Sequence, residues 1–166
     1  DEALKRIINY PTRGIGNTTI SKLVQAAVGN SISIWDVICS PLEYVEISKG
    51  THAKLQTFRQ LIEGFIECNK NLDAYNMAVE VIKKSGVMND LASDKSPEGL
   101  ARKENVEELA NAIHAFVESR SGLEDGNVPL VDFLSEVSLL TDADEQDDND
   151  MPKVPLMTVH SAKGLE

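Results

Sequence analysis

Two glycine-containing turns carry the residues whose types and spacing could bind phosphate groups. The first turn precedes Lys22 and runs through Thr12, Arg13, Gly14, Ile15, Gly16, Asn17, Thr18 and Thr19. A Gly-x-Gly turn that opens a helix exposes backbone N–H groups at the positive helix end, which suits a phosphate oxygen. Arg13 and Lys22 would add positive charge. The three threonine hydroxyls could donate hydrogen bonds to the same phosphate backbone without distinguishing between bases. The alternative is a tight interhelical turn whose glycines only satisfy geometry.

The second turn lies at the end of the sequence and offers several polar groups together. They are the side chains of Thr158, His160, Ser161, Lys163 and Glu166, with the backbone N–H of Gly164. Such a set could hold phosphate and sugar groups at once, although an ordinary β-turn with solvated polar residues has the same composition. The Lys-Gly pair lacks the preceding glycine spacing of a P-loop, and no P-loop occurs elsewhere in the sequence.

Cysteine and histidine spacing argues against a metal site. Cys39 and Cys68 are far apart and form no C-x-x-C pair, while His52 and His114 have no H-x-x-x-H partner. Thiolate and imidazole sites need such closely spaced ligands. We therefore predict that these residues hold no metal.

Helical periodicity surrounds the first turn. Apolar residues at helical spacing predict one helix around Leu4 to Ile8 and a second around Ile20 to Ala27. Pro11 cannot lie inside a helix, and the glycines allow a sharp change of direction. We expect a helix-hairpin-helix arrangement in which Asn17 or Thr18 caps the second helix.

The rest of the chain is also predicted to be helical, which places it in the all-α class. A short helix should include Trp35, and the two longest helices should pack against each other. Gly86 should end the helix before it. The predicted longer helices span residues 51–72, 74–84, 100–119 and 130–140.

Charge and hydropathy divide the sequence into three predicted regions. Its net charge is −11, but residues 1–84 carry ten Lys or Arg and nine Asp or Glu, so the acidity belongs to the second half. The predicted regions are a helical domain at 1–140, an acidic flexible linker at 141–153, and a short β-strand that opens another domain at 154–166. We expect the chain to be a piece of a larger protein, because a lone strand has no sheet partner.

Three motifs resemble the superfamily 1 DNA helicases related to UvrD, PcrA and Rep. Residues 156–166, LMTVHSAKGLE, are similar to helicase motif V, and residues 8–16, INYPTRGIG, are similar to the start of the inserted 2B subdomain. Residues 102–109, RKENVEEL, resemble a stretch on a long 2B helix. The three motifs occur in the family's order. The resemblance is weakest between about Asn30 and Lys95.

The resemblance implies the 2B subdomain of an ATP-driven 3′ to 5′ helicase, followed by the returning RecA-like 2A domain. The hairpin from Thr12 to Thr19, with Lys22, would contact duplex phosphates. Thr158, His160 and Ser161 would contact single-stranded DNA, while Lys163, Gly164 and Glu166 would couple the nucleotide to the DNA site. ATP and Mg²⁺ would belong to the parent enzyme. Since Walker A and B motifs are missing, we expect no cofactor and no ATPase activity in these residues alone.

Two other functions remain open from the sequence. The acidic second half and the long helices could form a protein-interaction or autoregulatory module with little affinity for DNA. A related helicase-nuclease subunit is the other alternative. It is less favoured, because such proteins usually carry a residue other than Ala162 before the Lys-Gly-Leu-Glu of motif V. Expected partners are a duplex and single-strand junction, other domains of the same helicase, and repair or replication proteins. We expect a cytoplasmic, bacterial-type protein at the nucleoid and no membrane segment.

Overall fold

The computed structural model describes residues 1–120 and 127–146, with side chains described through Leu139. Every regular element in these two ranges is an α-helix, which confirms the predicted all-α class for this part of the chain. The predicted strand at 154–160 lies outside the described residues. The helices are α1 (Glu2–Ile7), α2 (Asn17–Asn30), α3 (Ile34–Cys39), α4 (Pro41–Tyr44), α5 (Lys49–Cys68), α6 (Ala74–Ser85), α7 (Val87–Ser93), α8 (Pro97–Arg120) and α9 (Leu130–Gln146).

The larger core cluster joins the α1–α2 hairpin to α2, α3 and α5. Helix α2 repeats its apolar residues at helical spacing, so Leu23 and Ala27 lie on one buried face. Trp35 packs at the edge of this cluster, as an anchor that is only partly buried. The buried members are Ile8, Ile15, Leu23, Ala27, Ile34, Val37, Ile38, Leu55 and Phe58. The hairpin is therefore built on the main core of this part of the chain.

A reciprocal cap starts α3. The Ser33 hydroxyl accepts the backbone N–H of Asp36, and the Asp36 carboxylate accepts the backbone N–H of Ser33 at 3.0 Å. The Ser33 hydroxyl also donates to that carboxylate at 2.6 Å. These bonds satisfy two N–H groups that a helix start leaves without intrahelical partners. They also lower the pKa of Asp36, because they stabilise its ionised form.

The smaller core cluster joins α6 to α8 through Ala74, Ala78 and Ile113. We expected the two longest helices, α5 and α8, to pack together, but each packs on α6 instead. Helical periodicity identifies an apolar face without identifying its partner. Leu109, on α8, is 50% exposed, so α8 does not bury all of its large apolar side chains.

Gly86 ends α6 and begins α7. Its φ of +85° lies in the left-handed region, which glycine adopts without steric cost. This confirms the predicted end of α6. The helix that follows, Val87–Ser93, was not predicted, since its seven residues carry too short an apolar pattern.

The start of α8 needs a close backbone approach. Ser96 accepts the backbone N–H of Gly99 at 3.0 Å, and Gly99 is buried against Asp94. A Cβ atom at Gly99 would lie 2.5 Å from the main-chain oxygen of Asp94. A larger residue would push the loop away from the helix.

The chain divides into two units, Asp1–Leu134 and Ser135–Glu166, with the boundary inside α9. Helix α9 reaches Gln146, so the residues from 141 to 146 are helical where the acidic linker was expected to begin. No Gly or Pro occurs between Leu130 and Pro152, so no helix-breaking residue separates 141–146 from the preceding turns of α9. The remaining linker residues, 147–153, lie outside the described residues.

Replacing Gly99 with alanine should lower the stability of the fold by about 1–3 kcal/mol, because the new methyl group overlaps the loop. Gly64→Ala is the matched control. A Cβ at Gly64, in the middle of α5, meets no atom within 4 Å, and alanine should stabilise the helix by about 0.5–1 kcal/mol. Chemical denaturation measures both changes. Equal effects of one sign would contradict the proposed packing at Gly99.

Asp36→Asn should reduce the dependence of stability on acid pH. The carboxylate has a lower pKa in the folded chain, so its contribution is complete above the unfolded pKa, about 3.9. It is lost as the pH falls through the folded pKa. Thermal unfolding at pH 7, 5 and 3 should therefore show wild type and variant converging at the lowest pH. Ser33→Ala should reduce the same dependence, whereas a constant difference across the series would count against this cap.

Candidate functional site

The hairpin between α1 and α2 is held by a side chain from its own first residues. The Asn9 side-chain oxygen accepts the backbone N–H of Arg13 at 3.0 Å and that of Ile15 at 3.1 Å. Ile8 and Ile15 are 1% and 0% exposed, so they anchor the loop in the core. Asn9 was missed as a site residue, although an asparagine before a turn often bonds to nearby backbone.

Gly14 and Gly16 have different conformations. Gly14 has a φ of +69°, in the left-handed region, whereas Gly16 is extended with φ −75° and ψ 164°. Lys54 of α5 donates to the Gly14 carbonyl oxygen at 3.0 Å. The lysine, absent from the predicted site, fixes the carbonyl at the tip of the hairpin. Lys54 lies 40 residues from Gly14 in the sequence, so no local sequence pattern predicted this contact.

Arg13 directs its guanidinium group toward the protein. Nη2 donates to the Ser85 carbonyl oxygen at 3.0 Å, and the group lies 5.6 Å from the centre of the Phe58 ring. Partial burial lowers the pKa of Arg13, although an arginine stays protonated at neutral pH. The two N–H groups of Nη1 are shared among three carbonyl oxygens at 2.6 to 3.1 Å, those of Ile7, Tyr10 and Pro11.

Helix α2 begins without a side-chain cap. Its N-cap is Gly16, so the expectation that Asn17 or Thr18 caps the helix was wrong; both residues are already helical. A glycine at this position has no oxygen to offer the first turn. Within the described ranges, no hydrogen bond occupies the backbone N–H groups of Asn17 and Thr18. Both donors are open to an external acceptor.

A groove of about 330 Å³ lies beside this helix start and also meets the start of α5. Lys22 of α2 lines it, and its Nζ lies 3.3 Å from the main-chain oxygen of Glu46. Two helix N-termini with positive partial charge therefore share one polar groove. The hydroxyl groups that line it belong to Thr18, Thr19, Ser48 and Thr51.

Of the predicted hairpin residues, Thr18, Thr19 and Lys22 line this groove together, whereas Arg13 lines a separate pocket against α5 and the end of α6. Ile15 differs, because its side chain is fully buried and its N–H is bonded to Asn9. Its contribution to the site is therefore to anchor the loop. Arg13 and Thr19 are partly exposed. The exposed members are Thr12, Gly14, Gly16, Asn17, Thr18 and Lys22.

The second predicted group lies beyond the described residues. Its members, Thr158, His160, Ser161, Lys163, Gly164 and Glu166, are all in the range 147–166. Their roles remain predictions. In the ranges that the structure describes, no three His, Cys, Asp or Glu side chains are arranged to hold a metal ion. The helices in those ranges are too short or too polar to cross a bilayer.

Comparison with known proteins identifies the family. The UvrD-like helicase C-terminal domain matches residues 1–166. The chain belongs to the UvrD-like helicase C-terminal domain family. Within curated proteins, it is 35% identical over 166 residues to the ATP-dependent DNA helicase PcrA of Staphylococcus epidermidis and 34% identical to that of Staphylococcus aureus. Each alignment covers the whole chain but 22% of the relative.

Membership of the UvrD-like family confirms the resemblance inferred from the three sequence motifs. It covers the middle of the chain as well, where the motifs are weakest. The chain spans about a fifth of the length of these curated relatives, whose names describe ATP-dependent DNA helicases. The activity and partners of a whole protein containing this chain are therefore proposals.

Gly14→Ala should destabilise the fold by about 1–2 kcal/mol, because an L residue at positive φ is strained. The new Cβ would also lie 2.7 Å from Lys54 Nζ and displace it from the hairpin. Gly16→Ala is the matched control, since Gly16 is extended and its Cβ would meet no atom within 4 Å. Thermal denaturation should separate the two variants. Equal stability would argue against the left-handed turn at Gly14.

Proposed function

We propose that this chain is the 2B subdomain of an ATP-dependent DNA helicase and contacts the backbone of duplex DNA. The family match and the helicase relatives support this assignment. The single observation that favours the hairpin as the contact is the uncapped start of α2 beside a groove lined by Lys22. The proposed contact surface comprises the exposed hairpin residues and this groove.

The chemistry of the groove suits phosphate. Open N–H groups at Asn17 and Thr18 can donate to a phosphate oxygen, and the dipole of α2 favours its negative charge. Lys22 adds a cation that is exposed to solvent. Hydroxyl and backbone donors contact phosphates of any sequence, so the proposed binding has little base preference.

The charge distribution sets the expected strength of this contact. The chain as a whole is acidic, with a net charge of −11, and Glu46 lies at the edge of the same groove. At 0.1 M salt, the repulsion from carboxylates more than about 10 Å away is largely screened, whereas the donors of the groove would lie next to the phosphate. Binding by this chain should be weak and sensitive to salt.

The proposed parent protein is a 3′ to 5′ helicase that acts in DNA repair or replication. In it, Thr158, His160 and Ser161 would contact single-stranded DNA, and Lys163, Gly164 and Glu166 would link that site to the nucleotide. The residues that hold ATP and Mg²⁺ would lie elsewhere, because the sequence contains no P-loop. This chain alone should therefore hydrolyse no ATP.

A protein-interaction or autoregulatory role is the second candidate. Residues 85–166 carry six Lys or Arg and eighteen Asp or Glu, which favours a basic partner over a phosphate backbone. On α8, Leu100 and Leu109 are 54% and 50% exposed. This function would predict duplex affinity that is indifferent to every hairpin substitution.

Lys22→Gln should weaken binding to a labelled duplex with a 3′ single-stranded tail. Removing one phosphate contact should also reduce the slope of log affinity against log salt by about 0.9. Fluorescence anisotropy across a salt series measures both quantities. The expected result is a larger loss of affinity at low salt than at moderate salt.

Lys70→Gln is the control for this experiment because it makes the same charge change on the same chain. Lys70 is exposed and forms an ion pair with Glu67. It follows the C-terminal end of α5, and the groove lies at the other end of that helix, about 30 Å away. It should leave the salt slope unchanged. Equal effects of the two variants would indicate diffuse attraction and would contradict a contact in the groove.

A further inference from the structure

The guanidinium of Arg13 is bonded to two separate segments of the chain. Its two Nη atoms donate to four main-chain oxygens at 2.6 to 3.1 Å. Three of these oxygens belong to the end of α1 and the hairpin, and the fourth belongs to Ser85, the last residue of α6. The group therefore contacts two segments that are 72 residues apart in sequence.

We propose that Arg13 is a positioning residue that fixes the hairpin to the end of α6, while its neighbours contact the DNA phosphates. This proposal rests on the proposed duplex contact, but it assigns Arg13 a different task from Lys22. Sequence alone makes the two cations equivalent. The structure separates them, because Lys22 is exposed on the groove and Arg13 is partly buried over Phe58.

Donor geometry is the first argument for this role. Of the five guanidinium N–H groups, both on Nη1 and one on Nη2 are already used by main-chain oxygens, so a phosphate bonded to these three would have to displace main-chain acceptors. The released carbonyl oxygens would then need new partners. Lys22 is less constrained, since in the described part of the chain its Nζ donates at 3.3 Å to the main-chain oxygen of Glu46 and to no second acceptor.

The position of Ser85 is the second argument. The carbonyl end of a helix carries negative partial charge, so a cation there is stabilised. Arg13 donates to this end from one side, and the aromatic ring of Phe58 lies near its face. The hairpin, α5 and α6 thus meet at a single side chain.

The planar guanidinium is needed for these contacts. It directs several N–H donors into fixed directions, whereas a lysine offers a compact ammonium group on a flexible chain. Arg13→Lys would keep the positive charge but lose the bridge between Ser85 and the hairpin. A phosphate contact would tolerate this change much better than a bridge would.

The test compares Arg13→Lys and Arg13→Gln with Lys22→Gln, using the whole chain and the tailed duplex. Anisotropy across a salt series gives affinity and slope, and amide hydrogen exchange by mass spectrometry reports on residues 83–90. For both Arg13 variants we expect a similar loss of affinity, about tenfold, with the wild-type salt slope. Exchange near Ser85 should become faster. Lys22→Gln should instead lower the slope and leave that exchange unchanged.

Two results together would overturn the proposal and make Arg13 a phosphate ligand. Arg13→Lys would bind the duplex with wild-type affinity, and Arg13→Gln would show a reduced salt slope with unchanged hydrogen exchange at 83–90. If Arg13→Gln does not fold, Arg13→Lys alone decides between the two outcomes. If the wild-type chain binds no duplex, the proposed function fails. The exchange comparison then still decides: faster exchange at 83–90 supports a positioning role, and unchanged exchange refutes it.

Discussion

Main-chain polar groups at the turn between α1 and α2 must find partners while the start of α2 stays open. Asn9 accepts two N–H groups within the loop, Arg13 donates to carbonyl oxygens around it, and Lys54 donates to the Gly14 oxygen. Three side chains therefore satisfy main-chain polar groups that main-chain hydrogen bonds would satisfy in a helix or sheet. With the loop satisfied from inside, Asn17 and Thr18 can keep their N–H groups for an external acceptor.

This arrangement explains why the hairpin rests on the larger core cluster. Ile8 and Ile15 bury the two ends of the loop beside Phe58, and the same phenylalanine lies under Arg13. A phosphate site built from backbone donors depends on the shape of the backbone, since no donor can reorient independently. Rigid anchoring thus matters more here than the number of cations, which is consistent with a proposed contact on a chain that is acidic overall.

The sequence predicted the helices well and their partners poorly. Apolar spacing located α2 and α6, and Gly86 marked the end of α6 through its need for positive φ. The same spacing could not show that α8 packs on α6, because it contains no information about the opposing face. For the site, glycine spacing located the turn. Asn9 and Lys54 were missed, since their roles depend on main-chain atoms that composition does not reveal.

Arg13 shows why charge alone is a weak guide to a nucleic-acid interface. A cation beside a glycine turn can bind phosphate, or it can satisfy the carbonyl oxygens that the turn itself creates. The second task needs the guanidinium in a fixed position, and Ser85 supplies an acceptor from a distant helix. Any movement of α6 would then change the hairpin through one residue. The proposed phosphate contact and the packing of α6 are, on this view, physically linked.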